Sequence, residues 1–104
     1  MVNDANIISM NVTFRNMDVS DALRNYAEEK LEGCLRKFIR KNTEVNIILL
    51  VEKHRQIAEI SFASDGVSFK NSEESDDMYK SIDKLVDSLT NQLRRHKEKL
   101  IKRN

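Results

Sequence analysis

The sequence of 104 residues has no proline, no tryptophan, two glycines and one cysteine. A single cysteine, Cys34, excludes an intrachain disulfide and leaves no CxxC spacing for zinc or redox chemistry. Gly33 and Gly66 are too few and too far apart to build a phosphate-cradling loop, and no GxSxG, P-loop or HExxH pattern is present. The longest apolar run, Ile47 to Val51, falls far short of the ~20 residues of a spanning helix. Met1 to Asn6 lack the basic and apolar regions of a signal peptide. These absences predict a cytoplasmic protein with no membrane segment, no catalytic site, no cofactor, no metal and no small-molecule substrate. The length suits one domain over residues 1–104, with no separate dimerisation domain.

Charge is abundant. Charged residues make up 34% of the chain, and the net charge of +1 conceals a strong polarity. Residues 1–93 carry 12 Lys and Arg against 16 Asp and Glu, whereas residues 94–104 carry six basic residues against Glu98 alone. Arg36 to Lys41 holds four cations, and Glu73 to Asp77 four anions. A basic end on an acidic domain suggests a polyanion held by one face.

Ile8, Met10, Val12 and Phe14 alternate with polar residues, the period of a half-buried strand. Ser20-Asp21 can cap a helix, whose face is Leu23, Ala27, Leu31, Cys34, Leu35 and Phe38 and which is expected to run to about Ile39. Cys34 is thus predicted to be a core residue, and neither His54 nor His96 stands at ligand spacing from it. Val45 to Val51 reads as a second strand, and Glu52 to Gln56 as a hairpin tip. Ala58, Ile60 and Phe62 mark a third strand, and Val67 and Phe69, after the turn at Ser64 to Gly66, a fourth. The acidic block Glu73 to Asp77 is expected to open the last helix, whose row is Met78, Ile82, Leu85, Val86, Leu89, Leu93, His96 and Leu100. The resulting order, β-α-β-β-β-α, predicts an α+β fold: a four-stranded sheet with both helices on one face.

On a helical wheel Lys80, Lys84, Arg95, Lys99 and Lys102 fall on one flank of the last helix, joined through Ser88 and Asn91 by steps of three and four. Asp83 and Asp87 fall elsewhere. On the first helix Lys30 and Lys37 share an edge, with Gly33 between them. Two parallel helices are therefore expected to line a cationic groove with a small residue at its floor. Structured RNA read by shape is the natural polyanion for it, because an aromatic content of 6% argues against base stacking.

The chain resembles the short-type bacterial ribosome hibernation promoting factors, related to ribosome-associated inhibitor Y. The resemblance rests on Asn11 to Asn16, Asp21 to Leu31 and Val51-Glu52-Lys53, and most specifically on Asp77-Met78-Tyr79, Ile82-Asp83 and Gln92 to Lys97. It implies a fold similar to double-stranded RNA-binding domains, docked on the small ribosomal subunit where messenger and transfer RNA would lie, and translation blocked by occlusion under stress or in stationary phase. Ribosomes held in this way would be kept as inactive monomers or dimers. The ribosomal RNA contacts it implies are Arg24, Lys30, Lys53, Arg95 and Lys97. Lys37, Arg55, Lys80, Lys84 and Lys99 are added from the wheel. The chain departs from the usual pattern at Gly33, Ser88 and Asn91, where a cation is common, and at Phe14, where glycine is usual. With Asn104 as its last residue, it is expected to be of the short type, without the long form's extra domain or the acidic tail of the inhibitor Y type. The alternative expectation is a protein-interaction module whose basic helix binds an acidic partner, as in sigma-factor modulation. The last helix's apolar row follows an eleven-residue repeat, suited to a straight helix on a sheet and to a monomer off the ribosome.

Overall fold

A computed structural model of the chain describes residues 7–102, with side chains through Glu98. Its elements are β1 (Ile8–Arg15), α1 (Asp21–Leu35), β2 (Thr43–Glu52), β3 (Arg55–Ser64), β4 (Val67–Ser75) and α2 (Met78–Lys102). The order β-α-β-β-β-α is the one expected from the sequence. The strands lie side by side as β1-β2-β3-β4, with β1 parallel to β2 and the other pairs antiparallel. The parallel pair needs a crossover, and α1 supplies it.

Alternation along the strands sends Val45, Ile47 and Leu49 of β2 and Ala58, Ile60 and Phe62 of β3 to the helical side. There they bury with Leu31 and Leu35 of α1 and Ile82, Leu85 and Leu89 of α2. Cys34 is buried in this core, 3.1 Å from the Thr90 hydroxyl, and burial pushes its thiol pKa up. The opposite face of the sheet carries Arg15, Glu59 and Lys70 beside half-buried Ile48.

Three boundaries differ from the sequence expectation. α1 ends at Leu35, not near Ile39: Phe38 N–H bonds to the Leu35 carbonyl three residues back, and this tighter turn swings Ile39 into the core. The tip of the first hairpin is only Lys53-His54, since Glu52 and Arg55 already pair as strand residues. β4 runs to Ser75, so Glu73 and Glu74 are strand residues rather than the opening of a helix. The acidic block leaves only Asp77 as the cap of α2, its carboxylate accepting the N–H groups of Tyr79 at 2.8 Å and Lys80 at 3.2 Å. At the edge of a sheet, charged residues are compatible with a strand and discourage further pairing, which is why composition misleads there.

Ser81, absent from the expected core row, is fully buried in the first turn of α2. Its hydroxyl donates to the Gln56 carbonyl at 2.6 Å and meets the Ser75 hydroxyl at 2.8 Å, tying the start of α2 to the β3-β4 pair.

Candidate nucleic-acid interface

The first cluster of candidate residues stands where both helices begin. Lys53 sits at the tip of the β2-β3 hairpin with φ of 59°, a left-handed conformation rarely taken by a lysine. Both Lys53 and His54 are exposed, so the strained turn projects a cation into solvent. Arg55, next along β3, is held by the Glu74 carboxylate, with Nη2 to Oε1 at 2.5 Å, and by Glu52 at 2.8 Å. The hydrogen bond from Arg55 holds the Glu74 carboxyl below its ordinary pKa. Lys84 Nζ donates to the backbone carbonyl of Glu74 at 3.1 Å, and Lys80 lies 3.6 Å from Asp76. Of this group, Lys53 and Lys84 form no ion pair with a carboxylate among the described residues, and only Lys84 has a backbone carbonyl in its place. Arg24, on the far flank of α1, is bridged to Asp21 at 2.8 Å, and its guanidinium lies 5.5 Å from the centre of the Phe14 ring.

The second group lies between the helices. Tyr26 of α1 donates its hydroxyl to Asp83 of α2 at 2.5 Å and packs edge-on against Tyr79, ring centres 5.0 Å apart. Lys30 stands 5.5 Å from the Tyr26 ring centre. With the Cys34–Thr90 contact about two turns further on, these pairs show two parallel helices whose facing flanks include Asp83 and Thr90.

The groove expected from the wheel is therefore corrected. Lys30 and Lys37 do border the space between the helices, but the stripe of Lys80, Lys84 and Arg95 lies on the opposite flank of α2, over β4. Lys84 reaches Glu74, Gln92 accepts from Asn71 at 3.3 Å, and Arg95 lies beside Val67 and Ser68. A wheel gives distance from the apolar row; which flank meets the partner helix depends on the hand of the crossover. Gly33 is no floor either: it is exposed, and a Cβ placed on it meets nothing within 4 Å. Two cationic rows thus border the exposed ridge of α2, one from Lys30 of α1 and Lys37 just after it, and one from α2 itself.

The third cluster lies at the far end, where the helices finish. Lys37, Arg40 and Lys97 converge around a cavity of about 270 Å³ walled by Phe38, Phe69 and His96. The cavity was not anticipated, because its walls come from three separate elements. Lys99, Leu100 and Lys102 have side chains outside the described residues.

Comparison with known proteins places this arrangement in a family. The profile of the sigma 54 modulation protein / S30EA ribosomal protein family matches residues 10–101. The chain belongs to that family. All ten candidate residues lie within the matched segment. The ribosome hibernation promoting factor of Azotobacter vinelandii is 42% identical over 96 residues, which cover 92% of this chain and 89% of that protein. The Escherichia coli K12 factor of the same name is 34% identical over 93 residues, covering 89% and 97%. Among solved structures, a ribosomal subunit interface protein from Coxiella burnetii superposes with a TM-score of 0.75 at 33% identity, covering 88% of this chain and 97% of that one. The N-terminal domain of Protein Y from Thermus thermophilus gives 0.74 at 30%, covering 88% and 99%. In this chain Lys30, Lys84 and Arg95 lie on the helices and Lys53 at the β2-β3 tip, whereas Arg55 shares the other sheet face with Glu59 and Lys70.

Proposed function

We propose that this chain is a cytoplasmic ribosome hibernation factor. It binds ribosomal RNA of the small subunit in the messenger and transfer RNA channel and so blocks translation under stress or in stationary phase. The observation that supports the reading most is the pair of cationic rows along α2 in a chain similar to ribosome hibernation promoting factors over most of its length. Cations in rows along a rigid helix suit phosphate backbones, which need charge at intervals and not a deep pocket. Lys53 extends the same surface to the hairpin tip, giving a footprint that runs along much of a molecule measuring 47 × 32 × 19 Å. Occlusion needs no chemistry from the protein, only occupancy of a channel that RNA must enter.

The test is competition. Purified chain should co-sediment with isolated small subunits, and a messenger with its initiator transfer RNA, bound first, should exclude it. Simultaneous occupancy would contradict the channel as the site. A second reading, a module that binds an acidic protein, is favoured by the exposed basic flank of α2 and by the sigma 54 description of the family. Capture from lysate with and without ribonuclease separates the two, since only RNA-borne partners are lost on digestion.

A further inference from the structure

The cavity where the two helices end is unlike the rest of the cationic surface, because it joins charge to an apolar, aromatic interior. Its floor is Phe69, Leu93 and Ile39, each no more than 5% exposed. Phe69 is stacked on Phe62 with ring centres 5.0 Å apart, and His96 stands edge-on to it at 5.3 Å. Phe38, half-buried, also lines the cavity, placed there by the tightened turn that ends α1. The rim is cationic from both helices: Lys37 and Arg40 follow α1, and Lys97 belongs to α2. The rim's acid, Asp65, is met by Lys41 at 3.1 Å, so it does not offset these three.

We propose that this cavity binds one nucleotide unit, its base between Phe38 and His96 and its phosphate on Lys37 and Lys97. Three features select that chemistry. A volume of about 270 Å³ falls just below the ~300–1,000 Å³ of most small-molecule sites, enough for one ring system and not for an extended ligand. Two partly exposed rings in the lining, Phe38 and His96, offer faces and edges for stacking a planar base. Cations at the mouth, with none in the floor, call for a ligand that is apolar and planar at one end and anionic at the other. Low aromatic content in the sequence does not oppose this, since two of the four phenylalanines meet a histidine ring at one place. The nucleotide comes either from an RNA, splayed out of its stack, or free from solution. In the first form the proposal rests on the ribosomal reading above.

The test is a titration of the intact protein with each 5′-nucleoside monophosphate, followed by the ring resonances of His96, Phe38 and Phe69 and the methyls of Ile39 and Leu93. Saturable shifts at these groups are expected, whereas inorganic phosphate alone should move only the neighbourhood of Lys37 and Lys97. Phe38→Ala should abolish the ring shifts. Should that variant unfold, Lys37→Glu with Lys97→Glu, both at exposed positions, should weaken the titration at least tenfold. No saturable shift with any nucleotide would overturn the proposal, as would identical shifts from phosphate alone or from a glutamate-rich peptide. The source follows from small-subunit binding by Phe38→Ala/His96→Ala: a loss of about tenfold, the effect of one unstacked base, assigns the nucleotide to RNA, and unchanged affinity assigns it to the free pool. If the wild-type chain does not bind small subunits, the ribosomal reading fails, and the titration still decides the cavity.

Discussion

Lys53 shows what a single residue contributes against its own backbone preference. Its left-handed φ costs roughly 1–2 kcal/mol for a residue with a Cβ, and glycine would relieve most of that while bringing its own entropy cost. Lys53→Gly is therefore expected to leave the fold as stable or to stabilise it by up to about 1 kcal/mol, while weakening binding to small subunits. Denaturant melts and co-sedimentation on the same variant read the two effects separately, and a joint loss would mean that Lys53 is structural. Glu74 gives the pH counterpart. Its carboxyl is held below its ordinary value of 4.5 by Arg55, so the pair's contribution to stability is fully present above that pH and fades as pH falls through the depressed folded value. Glu74→Gln should flatten this part of the acid limb, as seen in thermal melts from pH 6 downward. The candidate cations could be read from sequence one at a time. What sequence does not contain is their partners: Glu52 and Glu74 on Arg55, or Asp21 and Phe14 on Arg24, meet through strand register and helix placement.

At the scale of elements, periodicity located the strands and helices wherever one face is buried. Ile47, Leu49, Ile60 and Ile82 were legible for that reason. It faltered where burial stops. Beyond Phe69, β4 carries polar residues held by backbone pairing with β3, and nothing in their pattern distinguishes an edge strand from a loop. Ser81 went unread because its partner is a carbonyl of another element. The stripe on α2 was legible as a stripe, but not the side on which it lies. Its test is charge reversal: Lys84→Glu with Arg95→Glu should abolish small-subunit binding with stability changed by under about 1 kcal/mol. Asp87→Ala is the matching control. Asp83, although off the stripe, is unsuitable because it accepts the Tyr26 hydroxyl and fastens α2 to α1. Equal loss in the Asp87 variant would remove any special role for the stripe.

For the whole molecule, the buried cluster among the described residues accounts for the display of charge. Met78, Ile82, Leu85, Leu89 and Leu93 are all buried against the sheet and α1, so the leucine-rich row of α2 is not available to a second helix. The 104-residue chain should therefore be a monomer off the ribosome. Light scattering coupled to size exclusion at micromolar concentration should give a mass near 12.1 kDa, and a mass twice that would contradict it. Pinning the apolar row of α2 also fixes which of its flanks faces solvent, and that arrangement makes a charged ridge from a helix about 38 Å long. The central claim is that this ridge binds RNA through its phosphates. It is tested most directly by measuring affinity for isolated small subunits across a salt series: with about six phosphates contacted, log K should fall against log salt with a slope of roughly −4 to −5. A slope near zero would show that the cationic ridge is not the main contact.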